Sequence, residues 1–276
     1  MELLNLEWET DDGLRLAVKN WKPATEPKAL ICLIHGLGEH SGRYHHLGVY
    51  LNEAGYAFLA FDLRGHGRSQ GQRGYAPNFR ALLQDISLSL KEGRKLYPGC
   101  PLFLYGHSMG GNLVLNYVLR IQPQLAGVIV TSPFLRTAFE PPVWKVVLGR
   151  IMYSLWPNLS LANELDAKGI SRDPEIVRAY KNDPLVHDRL TPRLGIDLLR
   201  SGLWALEHAN EFTLPLLLMH GDADSIVSAK ASSEFAVGAG KGCTLKIWPG
   251  LYHELHNEPE KEEVFSYLLG WLEKKI

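Results

Sequence analysis

Short apolar runs alternate with stretches of helical periodicity along this chain, and few folds satisfy that pattern. Six of the runs are almost continuously apolar, as expected for strands that are buried on both faces of a sheet. Strands that alternate with helices predict an α/β fold with a mostly parallel, doubly wound sheet. The six predicted strands are "ALICLIHG", "YAFLAFDLRG", "PLFLYGHS", "LAGVIVTSPF", "LPLLLMHGDAD" and "CTLKIWPG".

Turn and helix signals complete this pattern. "LNLEWET" and "LRLAVKNWKP" predict an opening hairpin around Asp11, Asp12 and Gly13. Amphipathic spacing predicts helices between the strands and one at the end of the chain. The predicted helices are "YHHLGVYLNEAG", "FRALLQDISLSLKEGRKLY", "GGNLVLNYVLRIQP" and "PEKEEVFSYLLGWLEKK".

The segment from Leu135 to Phe212 breaks the alternation. It has helical periodicity, contains several prolines and is much longer than an ordinary connection, since loops without structure rarely exceed about 15 residues. We predict a helical cap inserted at residues 135–212, over a core made of residues 1–134 and 213–276. Ligands of such sheets bind at the carboxyl ends of the strands, so the cap is expected to cover a site there.

The composition excludes several function classes. The 276 residues carry a net charge of −1, which leaves no electrostatic footprint for nucleic acid. No window approaches the run of about 18 apolar residues that a membrane span requires, and the acidic start lacks a signal-peptide core. Three separated cysteines favour a reducing compartment over disulfides or a zinc site. We therefore expect a cytoplasmic protein.

The stretch "LYGHSMGG" places Ser108 between glycines, directly after a predicted strand and before a predicted helix. G-x-S-x-G in that context is the nucleophile-elbow motif, in which a tight turn strains the serine backbone and glycines relieve clashes. The bare pentapeptide also fits a glycine-rich turn. The strand–turn–helix context favours a nucleophilic serine.

A serine hydroxyl needs a base that is oriented by an acid. On this topology the acid follows a late strand and the histidine follows the last strand. "HGDADSIV" offers Asp222 and Asp224, and "GLYHELHNE" offers His253 and His256. The residues alone leave both choices open.

An oxyanion hole requires two converging N–H groups. Met109, directly after the serine, supplies the first. Leu37 in "HGLG", after an early buried strand, is the candidate for the second.

Five separated motifs together resemble the monoacylglycerol lipase and lysophospholipase family of α/β-hydrolases, the serine aminopeptidase S33 or Hydrolase_4 type. They are "HGLGEHSGRY", "FDLRGHGRS", "GHSMGG", "SRDPEIVRAYKNDPLVH" and "GLYHELH". The resemblance covers about Trp8 to Trp271 and implies an α/β-hydrolase fold with a cap. It also implies that Asp224 is the acid and that His253 is the base.

The same resemblance implies residues that contact the head group of a substrate. His256, Glu39 and Arg43 match polar pocket positions, and Tyr180 resembles a cap tyrosine near them. Two alternatives stay open. Glu39 and Arg43 also suit an internal ion pair that pins their loop, and His256 also suits a surface or supporting role.

Other residues are expected to be structural. His35, His40, His45 and His46 are close in sequence, but no cysteine or second cluster supports a metal site. "FDLRGHGRS" does not match a phosphate loop and predicts a structural turn in which Asp62 and Arg64 bond locally. Cys32 lies inside a predicted buried strand and is expected to belong to the core.

The cap stretch "PPVWKVVLGRIMYSLWP" is apolar around almost its whole circumference. Its polar strip is confined to Lys145, Gly149 and Tyr153. A surface helix normally has a wider polar face. We predict that one side covers an acyl tunnel and the other touches a membrane or micelle surface. The alternative is that the helix packs against the rest of the cap, or against a second copy of the chain in a dimer.

These observations predict a serine hydrolase that cleaves monoacylglycerol to glycerol and fatty acid through an acyl-enzyme, with no cofactor. A lysophospholipase or general carboxylesterase is the nearest alternative. A non-catalytic ligand receptor on the same fold is a third, since such receptors can retain the triad.

Overall fold

The computed structural model describes residues 2–140 and 142–276. In these residues eight strands form one sheet in the order β1-β2-β4-β3-β5-β6-β9-β10, and two short strands, β7 and β8, form a separate antiparallel ribbon. The strands are β1 (Glu2–Glu9), β2 (Arg15–Lys22), β3 (Leu30–Ile34), β4 (Ala57–Phe61), β5 (Leu102–His107), β6 (Gly127–Thr131), β7 (Leu161–Ala162), β8 (Arg189–Leu190), β9 (Leu216–Gly221) and β10 (Cys243–Trp248).

The hairpin of β1 and β2 is antiparallel and joins β4 along one edge. From β4 to β10 every neighbouring pair is parallel. The six apolar runs therefore form the parallel strands that their composition predicts. The fold is an α/β-hydrolase fold, as predicted.

Helices connect the strands. They are α1 (His45–Glu53), α2 (Phe79–Leu96), α3 (Met109–Ile121), α4 (Val143–Leu155), α5 (Pro174–Asn182), α6 (Pro192–Glu207), α7 (Ala229–Ala239) and α8 (Lys261–Leu272). The sequence did not predict α7, which links β9 to β10. None of these helices combines the length and apolar character needed to cross a membrane.

The parallel strands other than β10, which lies at the edge of the sheet and is partly buried, are buried because helices cover both faces of the sheet. Within β3, Leu30, Cys32 and Ile34 face a core shared with α2, α3 and α7. Ile31 and Leu33 face a second core shared with α1 and α8. This two-sided burial explains why β3 is apolar at every position rather than at alternate ones. Cys32 belongs to the core, and burial raises the pKa of its thiol to about 12.

Between β6 and β9 the chain leaves the sheet and builds α4, α5, α6 and the β7–β8 ribbon. Helix α6 is anchored to the elbow helix α3 through a buried polar contact, in which Ser201 Oγ donates to Asn112 Oδ1 at 2.8 Å. The side-chain amide of Asn112 donates in turn to the carbonyl oxygen of Phe134 at 2.7 Å. The inserted segment is thus tied to the helix that starts at the predicted nucleophile.

Candidate active site

Ser108 occupies a strained turn between β5 and α3. Its backbone lies at φ 53° and ψ −116°, a conformation that L-residues rarely adopt. The neighbouring glycines are required by close packing. A Cβ at Gly106 would lie 2.5 Å from the Gly110 carbonyl oxygen, and a Cβ at Gly110 would overlap the Ile34 carbonyl oxygen. The turn leaves the serine half-buried at the edge of the sheet.

The structure separates the two acid candidates. Asp222 is exposed and accepts a hydrogen bond from the Gly250 N–H at 2.6 Å. Asp224 is buried, and its Oδ1 accepts from the backbone N–H groups of Ile226 at 2.8 Å and Val227 at 3.0 Å. Its Oδ2 accepts from His253 Nδ1 at 2.7 Å. Asp224, and not Asp222, therefore contacts the histidine.

The contact between Asp224 and His253 shifts the pKa of both side chains, downward for the carboxyl and upward for the imidazole. Burial alone would raise the pKa of Asp224, but the His253 ring and hydrogen bonds from His220 and His253 hold it far below its ordinary value. Burial would lower the pKa of His253, but the charge and hydrogen bond of Asp224, with the charges of Glu254 and Glu39, raise it. The ionised carboxylate therefore stabilises positive charge on the His253 ring.

His253 lies beside the elbow. Its backbone carbonyl accepts from Ser132 Oγ at 2.8 Å, and its ring centroid is 4.8 Å from that of His107, the residue before the serine. In the described part of the chain no protein group hydrogen-bonds to His253 Nε2. The edge of the ring opposite Asp224 is therefore available to a hydroxyl.

The predicted oxyanion donors come from two loops that meet at the serine. Leu37 lies in the loop after β3, and Met109 is the first residue of α3. Gly36 approaches so closely that a Cβ there would lie 3.2 Å from the Ser108 Cβ. Neither the Leu37 nor the Met109 N–H donates to another group within residues 2–140 and 142–276.

A buried ion network holds this loop. Glu39 Oε1 accepts from the Gly36 N–H at 2.6 Å and from the Tyr44 hydroxyl at 2.7 Å. Arg43 donates to Glu39 Oε2 at 2.9 Å and to both carboxylate oxygens of Glu254 at 2.6 and 2.7 Å. The predicted ion pair of Glu39 and Arg43 is present. Glu254 directly follows His253, but no sequence pattern predicts its part in this network.

His256 is not on the surface. Its ring stacks on Tyr44 at a centroid distance of 4.3 Å and meets His107 edge-on at 4.9 Å. Both of its ring nitrogens are buried without a partner among the described residues. Burial and the neighbouring histidines lower the pKa of His256 well below its ordinary value, so the ring is neutral.

Tyr180 brings the segment inserted between β6 and β9 to this network. It lies on α5, and the guanidinium of Arg43 is 4.7 Å from the centroid of its ring. A Cβ at Gly38 would lie 3.6 Å from its hydroxyl. Nearby, His40 Nε2 is 2.9 Å from the carboxylate of Asp183. The inserted segment therefore contacts the loop that carries Leu37.

The other predicted structural residues have separate partners. His35, His40, His45 and His46 do not converge, because their partners are the Leu63 N–H, the Asp183 carboxylate, the Trp21 indole and the His256 carbonyl, respectively. Asp62 accepts locally from the Arg68 N–H at 2.8 Å, and also from Ser41. The prediction of local bonding is wrong for Arg64, which pairs with Asp85 on α2 at 2.6 Å and with Asp12 at 2.8 Å.

Helix α4 turns apolar side chains outward. Gly149 and Tyr153 of the predicted polar strip face α6, where the Tyr153 hydroxyl donates to Asp197 at 3.1 Å and a Cβ at Gly149 would lie 3.4 Å from Ile196. No α4 residue is fully buried. The exposed fractions are 78% for Val143, 63% for Trp144, 47% for Val147, 48% for Leu148, 49% for Ile151 and 62% for Leu155.

A mostly parallel sheet, a serine elbow and a loop-borne Asp–His pair define an α/β-hydrolase. Comparison with known proteins agrees: the family model described as serine aminopeptidase, S33 (Hydrolase_4) matches residues 25–260. The chain belongs to this family, in the branch of monoacylglycerol lipases and lysophospholipases, and it is a carboxylic ester hydrolase.

Three relatives illustrate the similarity. A monoacylglycerol lipase of Mycolicibacterium smegmatis is 35% identical over 94% of this chain and 93% of its own length. The crystal structure of a Paleococcus ferrophilus monoacylglycerol lipase aligns with a TM-score of 0.85 and 34% identity, covering 100% of both chains. An uncharacterized abhydrolase domain-containing protein of Dictyostelium discoideum is 39% identical over 97% of this chain, which spans 28% of that protein.

Proposed function

We propose that this protein hydrolyses monoacylglycerol to glycerol and a free fatty acid, with Ser108, Asp224 and His253 as its catalytic triad. The observation that carries the proposal is the 2.7 Å bond from His253 Nδ1 to the buried Asp224 carboxylate, beside a serine held in a strained elbow. The monoacylglycerol lipases of M. smegmatis and P. ferrophilus, which match nearly the whole chain, support the substrate class.

In the first half of the reaction, His253 Nε2 takes the proton of the Ser108 hydroxyl as Oγ attacks the ester carbonyl carbon. The carbonyl oxygen gains negative charge and accepts hydrogen bonds from the Leu37 and Met109 N–H groups. The tetrahedral intermediate collapses by breaking the bond to the glycerol oxygen. His253 gives its proton to that oxygen, and the acyl group stays on Ser108.

In the second half, His253 takes a proton from water, and the hydroxide attacks the acyl carbon. The same N–H groups stabilise the second oxyanion. The bond to Ser108 Oγ breaks, the proton returns to the serine and the fatty acid leaves. Asp224 stays ionised throughout and stabilises the imidazolium that forms twice. Each step uses groups of this chain, the ester and water.

The charge of the site favours a glycerol head group over a phosphate-bearing one. Arg43 is the cation of the predicted head-group set, and it is buried between the Glu39 and Glu254 carboxylates. Its guanidinium makes three hydrogen bonds to these carboxylates, and the second carboxylate leaves the cluster with a negative charge. A phosphodiester would be repelled there, whereas glycerol hydroxyls can donate to carboxylate oxygens. We assign Glu39, Arg43, His256 and Tyr180 to the polar wall of this head-group pocket.

The cap fits a substrate that is delivered from a lipid surface. We assign residues 135–212 to a cap whose helix α4 rests on a membrane or micelle. Outward apolar side chains of α4 would be covered there, and a fatty chain gains about 0.8 kcal/mol for each CH₂ that it buries in an apolar passage. The polar residues of α4 that face α6 support this orientation.

A substrate panel tests the proposal. Purified protein is incubated with monoacylglycerols, triacylglycerols, lysophosphatidylcholine and a short p-nitrophenyl ester, and the released acid or phenol is measured. We expect monoacylglycerols to be preferred and every activity to be lost in Ser108→Ala. A preference for lysophosphatidylcholine would overturn the head-group assignment. Ligand binding without turnover by the unaltered protein would instead indicate a receptor.

A further inference from the structure

A second histidine contacts the acid of the proposed triad. His220, at the end of β9, has 0% of its surface exposed. Its Nε2 lies 3.0 Å from Asp224 Oδ2, the oxygen that also accepts from His253 Nδ1 at 2.7 Å. Two imidazoles therefore meet on one carboxylate oxygen.

The other nitrogen of His220 is bound as well. Its Nδ1 lies 2.7 Å from the hydroxyl oxygen of Ser232, which is fully buried on α7. A neutral imidazole donates from one nitrogen and accepts at the other. Because an ionised carboxylate can only accept, Nε2 carries the proton toward Asp224, and Nδ1 accepts the hydroxyl proton of Ser232.

These contacts fill the hydrogen-bonding capacity of Asp224. Oδ1 accepts from the Ile226 and Val227 N–H groups, and Oδ2 accepts from the two histidines. A carboxylate with both oxygens doubly engaged cannot twist without losing a buried hydrogen bond. His220 also draws part of the carboxylate charge away from His253.

We infer that His220 is a positioning residue for the hydrolysis: held in one tautomer by Ser232, it shares Asp224 Oδ2 with His253 and fixes the direction and strength of the Asp224–His253 bond. The inference rests on the proposed triad. It adds a chain of two hydrogen bonds, from Ser232 to His220 and from His220 to Asp224, through which His220 acts on the reaction by way of the acid.

Two amide substitutions separate the two hydrogen bonds of His220. The amide nitrogen of a glutamine can reach the place of Nε2, so His220→Gln keeps the donor to Asp224. Asparagine is one carbon shorter, so His220→Asn places its amide near Nδ1 and keeps the contact with Ser232 alone. The two variants are matched in polarity and differ in reach, which makes each the control for the other.

We expect kcat of His220→Asn to fall about tenfold, the change that 1.4 kcal/mol of transition-state stabilisation produces, with KM nearly constant. The acid limb of its kcat/KM profile moves to higher pH, because the undivided charge of Asp224 strengthens protonation of His253. Glu39, Glu254 and His107 also face His253 and are unchanged in both variants. His220→Gln should retain the kcat of the unaltered protein and the acid limb of its kcat/KM profile.

A proton NMR measurement gives a readout that does not depend on turnover. The downfield resonance of the His253 Nδ1–H in the bond to Asp224 shifts in His220→Asn and stays in His220→Gln. Equal profiles and equal resonances in the two variants, with a lowered melting temperature alone, would make His220 a packing residue. This resonance is observed without substrate, so the inference and the proposed function can fail separately.

Ser232→Ala provides a third variant if the histidine substitutions prevent folding. It leaves His220 in place and removes the group that fixes its tautomer. We expect a smaller fall in kcat than in His220→Asn, together with a shifted Nδ1–H resonance. An unchanged rate and resonance would overturn the role of Ser232 and, with it, the restraint on His220.

Discussion

The backbone N–H of His187 donates to the carbonyl oxygen of Gly38 at 2.9 Å and so joins the cap to the loop that carries Leu37. The approach is close enough that a Cβ on Gly38 would overlap the His187 carbonyl oxygen. Tyr180 and Asp183 contact the same region. The position of the proposed cap and the geometry of the proposed oxyanion hole are therefore coupled, and the closest contact between them is at Gly38.

Gly38→Ala should impair catalysis through this coupling. Gly38 lies at φ +78°, so alanine is strained there and also collides with the cap. We expect kcat to fall at least about tenfold, because a displaced N–H donor at an oxyanion is worth about 2.7–4 kcal/mol when it is lost completely. The measurement is the rate with a soluble p-nitrophenyl ester.

Gly13→Ala is the matched control. Gly13 has a similar backbone angle, φ +81°, but no atom lies within 4 Å of an added Cβ. It carries the backbone strain, about 1–3 kcal/mol, without the collision. An equal loss of kcat in both variants would show that strain alone, and not the contact with the cap, explains the effect.

The exposed Asp222 and the buried Asp224 provide a second paired test. Asp224→Asn removes the charge that stabilises the His253 imidazolium and disturbs its tautomer, so kcat should fall about 10⁴-fold. Asp222→Asn removes the same charge from an exposed position whose partner is the Gly250 N–H. It should alter kcat less than about twofold. Comparable losses in the two variants would refute the assignment of the acid.

The buried carboxylates near His253 predict the pH dependence of the reaction. Asp224, Glu254 and Glu39 raise the pKa of His253 above its ordinary value of 6.5. The base must be neutral to accept the serine proton, so kcat/KM should fall as the pH drops through that raised pKa.

Glu254→Gln removes one of these charges and leaves Arg43 less neutralised, and both changes lower the pKa of His253. We expect the acid limb of kcat/KM to move to lower pH by about 0.5 or more. Glu262→Gln removes the same charge from an exposed position at the start of α8 and should leave the limb in place. A limb that moves to higher pH in Glu254→Gln would contradict the electrostatic account.

The fold could be predicted from sequence because burial on both faces marks its strands so clearly. Leu30–Ile34 is apolar throughout, and Leu216–Gly221 opens with four consecutive apolar residues, so both runs could hardly be placed elsewhere. Helix α7, "AKASSEFAVGA", was missed because alanine and serine give it little apolar contrast between its faces. The β7–β8 ribbon has two residues in each strand, too few for any periodic signal.

Sequence motifs and chain order predict candidates for the nucleophile, the acid and the base. Contacts between residues that are distant in sequence could not be predicted. The strand–turn–helix context predicts Ser108 as the nucleophile, and chain order narrows the acid to Asp222 or Asp224 and the base to His253 or His256. The family resemblance chooses Asp224 and His253. His220 looks like the end of an apolar strand, and its contact with Asp224 depends on the turn after β9. Glu254 pairs with Arg43 across 211 positions, a contact that no local pattern encodes.

The outward face of α4 predicts binding to lipid vesicles. Val147 and Ile151 are one turn apart and about half exposed, at 47% and 49%. A double substitution to serine should weaken binding to neutral phospholipid vesicles at least about tenfold, since burying such side chains contributes about 1.5–3 kcal/mol each when complete. KM for monoacylglycerol presented in vesicles should rise, while kcat/KM for a soluble ester stays constant.

Val237→Ser is the control for this surface. Val237 is 83% exposed on α7, outside the cap, so its substitution removes a comparable apolar side chain from a face with no proposed role. Vesicle binding that survives the α4 double substitution, or that falls equally in Val237→Ser, would place the lipid contact elsewhere. Loss in the α4 variant alone would make this helix the surface through which substrate arrives.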